Sequence, residues 1–280
     1  MALLLAGGSA LLYGIADFCG GFAASRNRLL SVLVVSQLFG LLIALAAVAV
    51  LGHTAPHARD LAWGLLAGLT GSMGLFMLYG GIARGIVAVV SPTSAVVGAV
   101  FPILFALGLG ERPGGTAVLG CALCVPAILM LSWSGATAAS GRGSVRSALG
   151  YGALAGLGFG AFFTALSRCR ADAGLWPLVA ARAASLGAAG LALLVQREPL
   201  RLHRRGAAIT LLSGAADMGA NILFLLASQC GLLSLVAVIT SLFPAPTVLL
   251  ARICFGERIP PVRLLGFLVA LAGVALISLH

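Results

Sequence analysis

The chain has 280 residues, 61% of them apolar and only 9% charged, whereas a soluble domain carries about a quarter charged residues. So few polar side chains cannot cover the outside of a water-soluble fold, so the lipid bilayer must cover it, and a soluble enzyme or binding domain is excluded. The net charge is +10 and all 17 cations are arginine, but they stand singly or in pairs between apolar runs, as membrane anchors do, which argues against nucleic acid as a partner.

A membrane helix needs about 20 mostly apolar residues. Breaking the chain at its polar points predicts ten spans, at about 3–24, 30–51, 61–82, 86–109, 114–134, 148–167, 174–195, 207–228, 231–253 and 262–279. The first lacks the positive n-region of a signal peptide and has a longer apolar stretch, so it reads as a span. It carries Tyr13 and Asp17 one turn apart on one face. The third holds Ser72 and Tyr79, and the fourth Ser91, Thr93 and Ser94 beside Pro92 and Pro102. In the fifth, Cys121-x-x-Cys124 has no His or second pair nearby and reads as small residues in helix contacts. The Gly/Ser/Ala-rich stretch SGATAASGRGSVRS at 134–147 suits a flexible linker at the midpoint. It divides the chain into a unit at 1–135, a linker at 136–147 and a unit at 148–280. Gly152, Gly156 and Gly160 form a tandem G-x-x-x-G in the sixth span, which allows close helix approach. Arg182 lies in the seventh span, and Asp217, Asn221 and Gln229 in the eighth region. Thr240, Ser241, Pro244 and Pro246 lie in the ninth.

The two halves repeat. Gly110, Glu111 and Arg112 recur as Gly256, Glu257 and Arg258, with 257 − 111 = 146 residues between the acids. The same shift places Gly68 on Gly214, Gly120 on Gly266 and Tyr13-Gly14 on Phe159-Gly160, and a shift of 145 places Gln37 on Arg182. A unit with an odd number of spans, repeated head to tail, crosses the membrane in opposite senses. That predicts an all-α integral membrane protein of ten transmembrane helices, built as two inverted five-helix repeats around a central cavity. Secondary transporters share that design. The two glutamates read as punctuation, each favouring the positive N-terminal end of the following helix, with Pro113 and Pro260-Pro261 in the first helical turns. Twelve arginines fall in odd-numbered connections and four in even-numbered ones (Arg59, Arg112, Arg168 and Arg170). The odd side is expected to be cytoplasmic and both termini outside. Within the odd set, the run RLHRR at 201–205 has two readings, a lipid-headgroup patch and an ordinary cytoplasmic anchor, of which the anchor is expected.

The segment GLTGSMGLFMLYGGIARGIVAVVSPTSAVVGAVFPILFALGLGER resembles the repeat unit of the EamA-type drug/metabolite transporters, and ILFLLASQCGLLSLVAVITSLFPAPTVLLARICFGER resembles it more closely. Pro244 stands where that family commonly has proline, while the first half has Gly98 there. Arg182 resembles an arginine the family often carries. The resemblance implies a ten-helix fold with spans 1, 3, 4, 6, 8 and 9 around a substrate cavity, in the inner (plasma) membrane of a bacterium. It names no substrate. It adds that small multidrug relatives keep an essential acid in their first helix, where this chain has Asp17.

An ionisable residue inside the membrane is a functional candidate by default. Asp17 can bind and release a proton, as coupling of efflux to a proton gradient requires. Asp217 and Asn221 offer acceptors to an ammonium or hydroxyl group, and Arg182 can pair with either acid or clamp a carboxylate. Tyr13, Ser72, Tyr79, Ser94, Gln229 and Thr240 are further candidates for contact with substrate or proton. The expected function is secondary export of small metabolites, amino acids or similar polar compounds, by alternating access with protons as the coupling ion. The alternatives are a multidrug or lipid-intermediate exporter, against which 7% aromatic residues argues mildly although Phe159, Phe162, Phe163 and Phe224 are available to line its cavity, and an uncoupled facilitator. An intramembrane enzyme is not expected, since all four histidines fall in connections or at the end. No cofactor or metal is expected, and without G-x-x-x-x-G-K-[ST] this chain has no ATP-binding loop of its own. Its partners are a small-molecule substrate and the bilayer, and it is expected to act as a monomer or weak homodimer.

Overall fold

Apolar runs of this length must satisfy every backbone polar group internally, which leaves the helix as their form in lipid. The computed structural model of the protein describes residues 1–51, 57–83, 87–133, 144–197, 199–255 and 259–279. Its helices are α1 (Ala2–Ala24), α2 (Leu29–Leu51), α3 (Ala58–Ala83), α4 (Val87–Gly108), α5 (Gly115–Leu131), α6 (Val145–Ser167), α7 (Trp176–Val195), α8 (Arg204–Cys230), α9 (Leu233–Thr240), α10 (Pro244–Phe255) and α11 (Pro261–Ser278). α9 and α10 together form one pass, Leu233–Phe255. With the shorter apolar α5, the described residues give ten passes, within a few residues of the expected ones.

The ninth pass is broken at residues 241–243. Pro244 and Pro246 lack the N–H groups that would bond back to the carbonyls of Thr240 and Leu242. Tighter bonds replace them, from Leu242 N–H to Ile239 O, Phe243 N–H to Thr240 O and Ala245 N–H to Leu242 O. Pro113 departs from expectation too: α5 is capped at Gly114, so this proline precedes the helix, whereas Pro261 does begin α11. Most of the expected linker lies outside the described residues.

Small residues set the helix packing. α1 and α8 run antiparallel, tied at two levels by Ser9 Oγ to Ala220 O and Ser213 Oγ to Ala16 O, both 2.8 Å. α3 and α6 are also antiparallel, and a Cβ on Gly158 would come 2.7 Å from Gly74. α6 lies parallel to α4, with Gly152, Gly156 and Gly160 against Thr93, Val97 and Phe101, so the G-x-x-x-G series is the α4 contact.

The repeat is visible as duplicated contacts. Gly68 of α3 touches the Ala181 carbonyl of α7, and Gly214 of α8 touches the Ser36 carbonyl of α2. Gly120 meets Ile277, and Gly266 meets Leu131. Each contact is its counterpart displaced by the sequence shift, with the roles of the halves exchanged. α1–α5 and α6–α11 are therefore related by a pseudo-two-fold axis. Five passes per half make equivalent helices antiparallel, so the axis lies in the membrane plane and the repeat is inverted.

The first Gly-Glu-Arg motif is explained by its turn. Gly110 has φ +91°, a conformation that favours glycine. Gly110 N–H bonds to Leu107 O and Glu111 N–H to Ala106 O, closing α4 in a Schellman motif. The Glu111 carboxylate then accepts from Leu233 N–H (2.9 Å), Ser234 N–H (3.1 Å) and Ser234 Oγ (2.7 Å), capping α9 in the other half. This corrects the expectation that Glu111 serves the following helix, α5: its carboxylate takes the first N–H groups of α9 instead. Arg112 is exposed, while Gly256, Glu257 and Arg258 lie outside the described residues.

Candidate functional site

A cavity of about 470 Å³ lies between the repeats. Its walls come from α1, α2, α3, α4, α6, α7, α8 and the break in the ninth pass, with Ser132 and Arg263 at its rim. α2, α7 and the rim thus add to the spans that the family resemblance implied.

On one side the cavity is polar. Arg182 Nη2 pairs with Asp217 Oδ2 at 2.5 Å, and Arg182 Nη1 donates to Gln37 Oε1. The Arg182 side chain is 8% exposed and that of Asp217 30%, so the guanidinium is sealed while the carboxylate faces the cavity. Gly40, one turn beyond Gln37, makes room for this arginine: a Cβ there would come 3.3 Å from Arg182 Nε. Gln37 and Arg182 are repeat counterparts, so this hydrogen bond sits near the pseudo-two-fold axis. Tyr13 Oη donates to Asn221 Oδ1 at 2.9 Å, and Asn221 Nδ2 donates to the Asp217 carbonyl at 2.6 Å. Asp17 lies between these groups and the open end, exposed to the cavity. No cation pairs with it among the described residues.

Aromatic rings also line the cavity. Phe159, Phe162 and Phe163 of α6 line it, and Tyr13, Tyr79 and Phe243 bring the rings to six. Low aromatic content argues only mildly against such a lining, and Phe159, Phe162 and Phe163 are three of the four phenylalanines singled out for it from the sequence. Phe163 packs edge-on to Tyr13 with centroids 5.9 Å apart, and Phe224 closes behind it at 4.5 Å. Phe224 itself is fully buried and lines nothing. The repeat counterparts of Asp17 and Asp217 are Phe163 and Gly71. A symmetric frame therefore carries an asymmetric set of side chains.

Of the residues singled out from sequence, Asp17, Tyr13, Tyr79, Ser94, Arg182, Asp217 and Asn221 meet in this cavity. Three do not. Ser72 is buried and bonds its own helix through Gly68 O, which Ser185 also reaches from α7. Thr240 is buried at the end of α9, and Gln229 lies near the end of α8, away from the cavity. Gln37 and Ser213 were not among the candidates. Gln37 carried the signal of standing at the repeat position of Arg182, whereas Ser213 carried none.

The walls reach toward only one membrane face. Gly20, Gly21, Leu29, Tyr79, Ser91, Ser132, Ser213 and Arg263 all belong to the helix ends next to odd-numbered connections. The even-numbered side is packed shut. There Glu111 caps α9, and fully buried Asp60 accepts from Arg170 N–H at 3.0 Å. Cys169 donates to Asp60 O at 3.9 Å, and burial, reinforced by the Asp60 carboxylate, pushes its thiol up to about 12. Among the described residues no cluster of His, Cys, Asp and Glu is arranged for a metal ion.

A crystal structure of another protein superposes on 99% of this chain and 96% of its own, with a TM-score of 0.80 at 16% identity, which establishes a shared fold alone. Comparison with curated proteins gave no match. Residues 146–279 match the model of the EamA-like transporter family. Through that half the chain belongs to the EamA-like transporter family, of the drug/metabolite transporter superfamily, whose members are multi-pass membrane transporters.

Proposed function

We propose that the protein is a secondary active exporter of small organic compounds carrying a protonated amine on an apolar body. It works by alternating access, with Asp17 exchanging the amine for a proton. The observation that supports this most is the lining of the cavity, in which Asp17 has no paired cation among the described residues and shares the space with six aromatic rings. Arg263 at the edge is drawn to Trp133 O, so the inner part of the cavity sets two acids, Asp17 and Asp217, against one arginine, Arg182, and an ammonium or a proton supplies the missing positive charge. Aromatic faces add cation–π attraction and apolar contact. The expectation of amino acids narrows accordingly. Arg182 has both terminal nitrogens engaged, so a carboxylate inside the cavity must compete with Asp217 for it, and Arg263 at the edge, with its Nε donating to Trp133 O at 2.7 Å, keeps only its terminal nitrogens for such a group. With the arginine-rich connections cytoplasmic, the cavity opens to the cytoplasm and both termini lie outside, in a bacterial inner membrane. One chain supplies every wall, so a monomer suffices.

The test is binding to the purified protein, read as a rise in unfolding temperature. Aromatic and aliphatic primary amines should stabilise it, matched carboxylic acids should not, and zwitterions should fall between. Stabilisation by acids rather than amines contradicts the reading.

A further inference from the structure

Two connections separated by more than half the chain meet at the odd-numbered face and form a second, open pocket of about 840 Å³. The α1–α2 connection contributes Arg26, Asn27 and Arg28, and the α7–α8 connection contributes Arg201 and His203. Hydrogen bonds tie the two together. Arg201 N–H donates to Ser31 Oγ at 3.1 Å, His203 N–H donates to Asn27 Oδ1 at 2.9 Å, and Asn27 Nδ2 donates to Ala23 O at 2.9 Å. The Arg26 guanidinium lies 4.1 Å above the Phe22 ring. Arg26, Arg28, Arg201 and His203 are exposed, and no acid lines the pocket among the described residues; Glu198 of the same connection lies outside them. The N-terminus of α8, a helix of 27 residues, opens here with no side-chain cap, adding the positive end of its dipole.

We infer that this pocket binds the phosphodiester headgroup of an anionic lipid. It goes beyond the transport reading and does not depend on it. Backbone ties hold the loops, the Arg26 guanidinium rests on the Phe22 ring, and those of Arg28 and Arg201 make no ion pair among the described residues, which suits a ligand with several phosphate oxygens. The lipid source follows from position, since the pocket lies level with the end of α1 and the start of α8, where headgroups stand in the bilayer. Basic pockets of this kind at the arginine-rich face recognise anionic headgroups.

The experiment uses the full chain in nanodiscs of phosphatidylcholine, with and without one-fifth phosphatidylglycerol, read as unfolding temperature. The wild type should gain stability from phosphatidylglycerol, and Arg26→Gln/Arg28→Gln/Arg201→Gln should lose most of that gain. Arg170→Gln, on the opposite face, should keep it. If the triple variant does not fold, Arg28→Gln and Arg201→Gln singly should each lose part of the gain. An unchanged response in these variants overturns the proposal. So does an equal gain from inorganic phosphate added to phosphatidylcholine discs, which would mark a site for free anions.

Discussion

Asp17 and Asp217 stand near each other in one cavity, and their partners separate their roles. Asp217 is committed to Arg182, so it sets the charge of the polar wall, while Asp17 is left to exchange ligands. Removing Arg182 tests the first half of that division. Breaking a fully buried pair costs about 3–5 kcal/mol, but Asp217 is 30% exposed to the cavity. Arg182→Gln should therefore cost less, about 1–3 kcal/mol in equilibrium unfolding. Arg182→Gln/Asp217→Asn should recover most of that loss, and a double variant no better than the single one would contradict the pairing. The sequence showed these residues because a charge inside an apolar run is conspicuous. Helical phase was harder to read. Ser72 and Ser94 are both hydroxyls that bond their own helices, yet only Ser94 reaches the cavity. The aromatic lining was legible only in part: the cluster at Phe159, Phe162 and Phe163 stood out, but a phenylalanine facing a cavity and one buried behind it, such as Phe224, look alike in a membrane sequence.

At the level of elements, two devices hold the helices. The first is the Glu111 cap on α9. Hydrogen bonds to a charged group contribute about 1.5–3 kcal/mol each when well buried, and Glu111 is only half-buried. Glu111→Ala should cost about 1–3 kcal/mol and loosen the closed side, so that Thr240→Cys, buried at the far end of α9, reacts faster with a small thiol reagent. Unchanged reactivity would mean that the cap does not hold the seal. The second device is the α4–α6 contact. A methyl on Gly156 would come 2.6 Å from Val97 Cβ and 2.7 Å from the Ser94 carbonyl. Overpacking of that kind costs about 1–3 kcal/mol, so Gly156→Ala should unfold earlier on heating, whereas Gly150→Ala, which meets nothing within 4 Å, should not. Run length and glycine spacing made both helices and their close contacts legible. The Glu111 partner was not, because a cap 122 residues away depends on how the two halves are placed.

The molecule as a whole is a symmetric frame in an asymmetric state. Paired contacts such as Gly68–Ala181 and Gly214–Ser36 obey the pseudo-two-fold, but the cavity reaches only toward the odd-numbered connections. An inverted repeat supplies the opposite state by letting each half adopt the conformation of the other. The repeat itself was readable from one recurring tripeptide and a few glycines. Which face stands open was not, since both states have the same sequence. With the arginine-rich side in the cytoplasm, Gly21→Cys, exposed on the cavity lining with open space for a side chain, should be labelled by a membrane-impermeant reagent only from that side. Labelling from the outside alone would reverse the orientation.

The central claim is exchange of an amine for a proton at Asp17, and flux measures it most directly. Proteoliposomes holding the wild type or Asp17→Asn would be given labelled aromatic and aliphatic amines, and amino acids alongside, with and without a proton gradient. The account predicts saturable flux of amines that a gradient drives at least about tenfold in the wild type, and loss of that drive in Asp17→Asn. Equal, gradient-driven flux in both proteins would contradict it.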